Sequence, residues 1–234
     1  MKFTVNRPAF CEALKTVAAA AKSGSVTGIS GIYLYADASK RILELTGTDV
    51  ITSVVKRIRD ADISMSGEII LPPVVLEILR KTKEESITLE TDENGALGLS
   101  FGSARYLLVT RPVNEFPKSE LVFPTAYVSV SGLLPLLKHA AFAAETKGDK
   151  RELQGVTLRL TPGISTAEAM NQKRMASAVN RNAADGETEM KLHISAVNIL
   201  FSLLSADKTV YAGTADQRAV FVCGDTVFST VMMN

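Results

Sequence analysis

The sequence predicts an α+β protein built from two tandem copies of one domain, each with two helices and antiparallel strands. A length of 234 residues suits two domains of about 110–120 residues. Segments of alternating polarity, typical of strands, recur between segments with helical spacing of apolar residues. We expect domains over residues 1–120 and 121–234, because equivalent residues lie 122 to 124 positions apart: Gly31 and Gly155, Gly102 and Gly224, Tyr106 and Phe228. Chance similarity of two α+β domains is the alternative.

A pair of predicted strands organises the first half. Ile42–Leu45 and Ile51–Ile58 alternate apolar and polar side chains and are rich in β-branched residues. Thr46–Asp49, between them, contains the Gly and Asp that favour a turn. The other strands predicted in this half are Lys2–Val5, Gly31–Ala36, Ile87–Thr91, Ala96–Phe101 and Arg105–Thr110.

Four helices are predicted, two in each half. In the first half they cover Asn6–Ala21, where Asn6 is the expected cap, and Leu71–Lys83, where prolines suit the first turn. In the second half they cover Ser131–Phe142 and Ser195–Leu204, each with its serine as the expected cap. The spacing of apolar residues gives each segment one apolar face.

The second half repeats the order of the first. A linker is predicted over residues 112–127, because prolines at 112, 117 and 124 interrupt the pattern. The strands predicted after it are Tyr127–Val130, Leu153–Leu160, Ser165–Met170, Met175–Val179, Thr209–Ala212, Ala219–Cys223 and Thr226–Met232.

Charge and cysteine content restrict the class of protein. A net charge of +1 gives no overall basic bias, although cations clustered on one face would still act on nucleic acid. Cys11 and Cys223 lie in apolar segments, which favours two buried free thiols over one disulfide. No hydrophobic signal region follows Met1, and no apolar run approaches the roughly 18 residues of a membrane span. We therefore expect a soluble cytoplasmic protein without a membrane segment.

An enzyme is not indicated by the residues available. His139 and His193 are the only histidines, and no zinc-binding or nucleophile-elbow motif occurs. Asp49, Asp60 and Asp62 are an alternative metal cluster, but Asp49 lies where a turn needs an aspartate for backbone hydrogen bonds. We expect no catalytic residue, no metal and no cofactor.

Several stretches resemble the bacterial DNA polymerase III beta subunit, the replicative sliding clamp. They are KFTV, LTGTDV, LPPVVLEILRK, RYLLVTRP and NEFP in the first half, and LQGVTLRL with a KRMA-bearing strand in the second. The resemblance implies a DNA-clamp fold and a ring in which each domain lays two helices along the inner wall. Family subunits carry three domains and close head to tail as dimers. The third domain is absent here, so the chain is either a fragment or a two-domain subunit that closes as a trimer.

The resemblance implies a non-catalytic function in DNA replication. The ring would thread double-stranded DNA, slide on weak phosphate contacts and act as the processivity factor of the polymerase III catalytic subunit, with a clamp loader as second partner. The basic residues that would contact DNA are Lys15, Lys22, Arg80, Lys81, Lys83, Lys138, Lys147, Lys150 and Arg151. Uncharged residues occupy positions where the family tends to carry basic ones: Gly24, Val74, Val75, Ala196 and Val197.

The resemblance also implies two protein-binding regions. Partner proteins would insert an apolar peptide into a groove with one wall from Leu153, Met170, Lys173, Arg174 and Met175. Tyr106 and Leu108 lie on the strand that would close the ring. The first hypothesis is a sliding clamp that tethers a polymerase. The second is a clamp-like paralogue with weakened DNA contact that acts as an interaction or regulatory module, and a small-molecule enzyme is a distant third.

Overall fold

A computed structural model describes residues 1–21, 31–59, 61–92, 95–117, 122–181, 183–205 and 208–234. The chain forms two compact units, Met1–Ser119 and Glu120–Asn234. Each unit contains two α-helices and antiparallel strands among the described residues, as the sequence predicts. No helix in the described ranges is long and apolar enough to span a membrane.

Among its described residues, unit 1 contains helices α1 and α2 and nine strands. Strands β6-β2-β3-β4 pair in that order, and β5-β1-β7-β8-β9 form a second antiparallel sheet. The helices are α1 Arg7–Ala21 and α2 Val74–Lys81; the strands are β1 Lys2–Asn6, β2 Ile32–Asp37, β3 Ile42–Thr48, β4 Thr52–Arg59, β5 Asp62–Met65, β6 Gly67–Leu71, β7 Ser86–Thr91, β8 Leu97–Phe101 and β9 Ala104–Leu108.

Helix α1 packs on β3 and β4 and also contacts α2. Its buried face consists of residues at helical spacing, among them Phe10, Leu14 and Val17. The predicted Asn6 cap is confirmed, because the Ala9 amide donates to Asn6 Oδ1 at 3.1 Å. A glycine is required at position 47, where a Cβ would overlap the carbonyl oxygen of Val17.

Unit 2 repeats the arrangement with helices α3 and α4 in contact with each other. Its sheets are β13-β12-β11-β14 and the strands β10-β15-β16-β17. The helices are α3 Leu133–Ala141 and α4 Ile194–Leu203; the strands are β10 Val128–Val130, β11 Gly155–Leu160, β12 Ile164–Met170, β13 Met175–Arg181, β14 Thr188–His193, β15 Val210–Ala215, β16 Arg218–Cys223 and β17 Thr226–Val231.

Both predicted caps in unit 2 are wrong. Gly132, with φ of 66°, is the residue before α3, and no side chain caps that helix. The cap of α4 is His193, whose Nδ1 accepts the Ser195 amide at 3.2 Å. Histidine is an uncommon cap, but this ring is held from both sides, because Nε2 lies 3.1 Å from Gln154 Oε1 and Nδ1 lies 2.7 Å from Ser195 Oγ.

Three strands are missing from the sequence-based prediction: β5, β6 and β14. The turn expected at Thr46–Asp49 lies later, because β3 continues to Thr48 and the Thr52 amide donates to Asp49 Oδ1 at 2.6 Å. The helix expected over Leu71–Lys83 is shorter, because Leu71 ends β6 and Thr82 has an extended backbone. Cys11 and Cys223 are free thiols, the first buried and the second half-buried.

Candidate nucleic-acid interface

The basic residues singled out from the sequence are exposed wherever the structure describes them. They are Lys15, Arg80, Lys81, Lys83, Lys138, Lys147, Lys150 and Arg151. Within the described part of the chain, none of these eight cations has a carboxylate within ion-pair distance. Their charge is therefore available to an anion such as a phosphate. Lys22, the ninth, lies outside the described residues, as does Gly24.

In unit 1 the cations belong to the two helices and the turn after α2. Lys15 is on the exposed face of α1, and Arg80 and Lys81 form the last turn of α2, where positive charge suits the helix dipole. Arg7, at the start of α1, has a structural role, because its guanidinium donates to the carbonyls of Glu84 at 2.6 Å and Leu79 at 3.4 Å. Those two bonds tie the start of α1 to the end of α2.

In unit 2 three cations meet at one pocket beside the C-terminal end of α3. This α3 pocket has a volume of about 380 Å³. Lys138 and Lys147 come from α3 and the turn after it, and Arg174 comes from the turn between β12 and β13. Helix α4 supplies Asn198 and Phe201 on the opposite side. The pocket is therefore formed where two helices and one hairpin meet within a single unit.

Phe142 and Arg174 contact each other in the α3 pocket in two ways. The Arg174 guanidinium lies over the Phe142 ring, 5.4 Å from its centroid, and Nη2 donates to the Phe142 carbonyl at 2.6 Å. Asn171 fixes the turn, because its side-chain oxygen accepts the amides of Lys173 and Arg174 at 2.9 and 3.0 Å. A carbonyl at the helix end thus gains a charged donor.

The five residues expected to line a partner-peptide groove differ in exposure and in the elements that carry them. Only Arg174 lines the α3 pocket. Met170 and Met175 pair across the β12–β13 hairpin, and both are exposed, as is Lys173. Leu153 is at the end of a 3-10 helical turn and is half-buried. A groove formed by all five stays a prediction.

Lys150 and Arg151 are on the segment that leads into β11, and Arg151 is close enough to His193 to act on its charge. The pKa of His193 is lowered, first by burial and second by the positive charge of Arg151. His193 is therefore neutral at physiological pH, as its capping role requires. His139 is exposed near the end of α3.

The edge strand β9 presents an apolar surface. Tyr106, Leu107 and Val109 are 40, 73 and 89% exposed, whereas Leu108 is half-buried. Tyr106 packs against Phe101 on the neighbouring strand with ring centroids 5.7 Å apart. The sequence identified Tyr106 but missed Leu107 and Val109, which are the more exposed residues. Such an edge favours pairing with another chain.

The uncharged positions noted in the sequence differ in their exposure. Val74 is 39% exposed in the first turn of α2, whereas Val75, Ala196 and Val197 are buried core residues. Val75, Ala196 and Val197 therefore present almost no side-chain surface of their own to DNA. Helix α4 contains no lysine or arginine in its ten residues.

No group of three or more metal-ligating side chains occurs among the described residues. Asp49 is a turn residue that accepts the Thr52 amide, and Asp62 is exposed on β5, whereas Asp60 lies outside the described residues.

Several residues of the α3 pocket were missed in the sequence. They are Phe142, Glu145, Asn171, Asn198 and Phe201. Phe142 ends a segment that the sequence predicts to be a helix with one apolar face, yet it is 60% exposed. Asparagine in a tight turn is a recognisable signal, but the convergence of two helices and a hairpin is not readable from local sequence.

Comparison with known proteins gives a consistent result. Residues 1–120 match the family model described as DNA polymerase III beta subunit, N-terminal domain. The chain is 31% identical over 160 residues to a beta sliding clamp of Synechococcus elongatus, a match that covers 67% of this chain and 42% of that protein. It is 27% identical over 180 residues to the beta sliding clamp of Pseudomonas aeruginosa, covering 75% and 48%.

The fold is similar to those of solved sliding clamps. The crystal structure of the DNA polymerase sliding clamp from Bacillus subtilis superposes with a TM-score of 0.91 at 18% identity, covering all of this chain and 65% of that chain. A Pseudomonas aeruginosa clamp gives a TM-score of 0.90 at 22% identity. At these identities the likeness shows the fold alone. The chain spans about half the length of the curated relatives it matches.

Proposed function

Because the chain belongs to the DNA polymerase III beta subunit family, we propose that it serves as part of a sliding clamp on double-stranded DNA. It tethers the polymerase III catalytic subunit for processive replication, is placed on DNA by a clamp loader, and has no catalytic step of its own. The observation that carries the proposal is the family match together with the helix pair found in each unit. Replication places this work in the cytoplasm.

We further propose residues for DNA contact. Cations that have no carboxylate partner among the described residues suit a surface that holds phosphates without reading bases. The described cations of this kind are Lys15, Arg80, Lys81, Lys83, Lys138, Lys147, Lys150 and Arg151, and we add Lys22 from the sequence alone, because it lies outside the described residues.

Two protein contacts complete the proposal. The apolar edge of β9 around Tyr106 and Leu108 associates with another copy of the chain to close a ring. Leu153, Met170, Lys173, Arg174 and Met175 contribute one wall of a partner-peptide groove. Residues 1–120 and 121–234 then correspond to the first and second clamp domains of a family subunit.

A second candidate is a clamp-like paralogue with weakened DNA contact that acts in protein interactions. One observation favours it: α4 has no cationic residue, so half of the helix pair in unit 2 offers no charge to DNA.

The salt dependence of duplex binding separates the two candidates. Each phosphate contact contributes about −0.9 to the slope of log affinity against log salt concentration. We expect the double substitution Lys138→Ala and Lys147→Ala to reduce that slope by up to about 2. The matched control is Lys2→Ala with Lys40→Ala, since both lysines are already paired, with Glu90 and Asp37. A flat slope for the unaltered chain would favour the paralogue.

A further inference from the structure

We propose that the α3 pocket binds a nucleoside phosphate unit, with its base against Phe142, its base edge at Glu145 and its phosphate among Lys138, Lys147 and Arg174. The unit comes either from an unpaired nucleotide of a DNA strand or from a free nucleotide. This inference deepens the proposed function and rests on it only for naming DNA as a source. The pocket volume of about 380 Å³ lies within the range of about 300–1,000 Å³ common for small-ligand sites.

The aromatic platform is already held in place. Phe142 is 60% exposed, although it is a large apolar side chain at the end of a helix. The Arg174 guanidinium fixes it by the ring contact and by the bond to its carbonyl. A base that stacks on an ordered ring loses little additional side-chain entropy, and base–aromatic stacking is tolerant of sequence.

Glu145 supplies an acceptor that lacks a donor. Its Oε2 is buried and has no hydrogen-bond partner among the described residues. Its backbone is fixed, because the Glu145 amide donates to the Leu153 carbonyl at 2.8 Å. The last torsion of a glutamate is soft, so the carboxylate can turn an oxygen toward the pocket. An unsatisfied carboxylate oxygen is costly, and the exocyclic amino group of cytosine is a donor that a glutamate accepts well.

The charges around the pocket suit the phosphate of the same ligand. Lys138 and Lys147 are exposed and have no carboxylate partner in the described ranges, and Arg174 retains donors beyond its bond to Phe142. An acidic peptide would use the three cations but would bring its carboxylates toward Glu145. A nucleotide uses the cations through its phosphate and Glu145 through its base, so the observations favour the nucleotide.

The test measures binding of the whole chain to fluorescein-labelled dC12 and dT12 by fluorescence anisotropy at one low salt concentration. We expect dC12 to bind about fivefold more tightly than dT12. Phe142→Ala should weaken both oligonucleotides by about fivefold or more. Glu145→Met, which removes the acceptor, should bring the dC12-to-dT12 ratio close to one. The matched control Phe123→Ala removes another exposed phenylalanine of unit 2 and should change neither affinity.

Competition identifies the source of the nucleotide. Displacement of dC12 by free dCMP assigns the pocket to a free nucleotide, and resistance to dCMP assigns it to a DNA strand; both results support the inference. If Phe142→Ala or Glu145→Met does not fold by circular dichroism, Phe142→Leu or Glu145→Leu replaces it, because each removes the aromatic ring or the acceptor while keeping an apolar side chain of moderate size, and the same result is expected.

Any of three results would contradict nucleotide binding at the α3 pocket. Neither oligonucleotide binds, the variants bind like the unaltered chain, or poly-aspartate displaces the labelled oligonucleotide as efficiently as unlabelled dC12. If duplex binding depends steeply on salt but the pocket variants bind oligonucleotides like the unaltered chain, the proposal for the α3 pocket is refuted and the proposed DNA contact of the clamp is not. If duplex binding does not depend on salt, the proposed DNA contact residues are refuted, and the oligonucleotide experiment still tests the α3 pocket.

Discussion

Removing the histidine cap of α4 should destabilise unit 2 by a predictable amount. In His193→Ala the Ser195 amide loses its acceptor Nδ1, and Gln154 loses its contact with Nε2. Loss of a cap costs about 1 kcal/mol, and a neutral side-chain hydrogen bond contributes about 0.5–1.5 kcal/mol. Gln154 is half-buried and can form a hydrogen bond to water in the variant, so loss of its contact with His193 should cost an energy at the low end of that range. We expect a total of about 1–2 kcal/mol, which lowers the Tm of a chain of this size by roughly 2–8 °C.

A second variant, His193→Asn, distinguishes loss of the capping hydrogen bond from loss of the other contacts of the histidine ring. His193→Asn restores an acceptor suited to capping and should recover about half of the loss. Urea unfolding followed by far-ultraviolet circular dichroism gives the free energies, with the first transition analysed separately because the chain has two compact units. The reasoning fails if alanine and asparagine at position 193 are equally destabilising, or if neither changes the transition.

The same cap gives a pH dependence with a defined sign. The pKa of His193 is lowered in the folded chain, by burial first and by Arg151 second, so the unfolded chain binds the proton more readily. The contribution of the cap is therefore fully present above the unfolded pKa of about 6.5 and is lost as the pH falls below it toward the folded pKa. Between pH 7.5 and 5 we expect the stability advantage of the unaltered chain over His193→Asn to shrink, measured by urea unfolding at each pH. An advantage that grows on acidification would contradict this account.

Three further predictions concern the core and the edge of unit 1. Phe10→Ala should cost about 3–5 kcal/mol in unfolding experiments because Phe10 is fully buried, whereas Val74→Ala, on an exposed position, should cost less than about 1 kcal/mol. Gly47→Ala should destabilise by about 1–3 kcal/mol, since its Cβ would overlap the Val17 carbonyl, while Gly98→Ala meets no atom closer than 3.5 Å; equal effects would refute the close contact. Leu107→Asp should reduce self-association in sedimentation velocity without changing the circular dichroism spectrum, and an unchanged oligomeric state would exclude the β9 edge.

The regular elements could be predicted from the sequence because their signals are local. Alternation identified β3 and β4, and helical spacing with an Asn6 cap identified α1. Strand β5 has four residues and follows β4 closely, and such a short segment shows little alternation by which to recognise a strand. Strand β14 is absent from the sequence-based prediction, which assigns no element to Thr188–His193, although its pairing with β11 places Met190 and Leu192 in the core.

The candidate site could be predicted only in part. Exposed lysines on helices are visible in the sequence, and the structure bears out their exposure. That Lys138, Lys147 and Arg174 meet at one pocket depends on the contact of the β12–β13 turn with α3, which is a tertiary property. The caps were misassigned for a similar reason: a serine one or two residues from the helix start is the commoner cap, but at α4 the ring of His193 occupies that role.

The most direct test of the central claim is retention on circular DNA. The chain is loaded onto nicked plasmid with its clamp loader and the complex is separated by gel filtration at a salt concentration that abolishes simple electrostatic binding. A clamp should elute with the circular plasmid and be released when a restriction enzyme linearises it, because a ring is held by topology and slides off an end. A chain that never elutes with circular plasmid, or that stays bound after linearisation, would contradict the account.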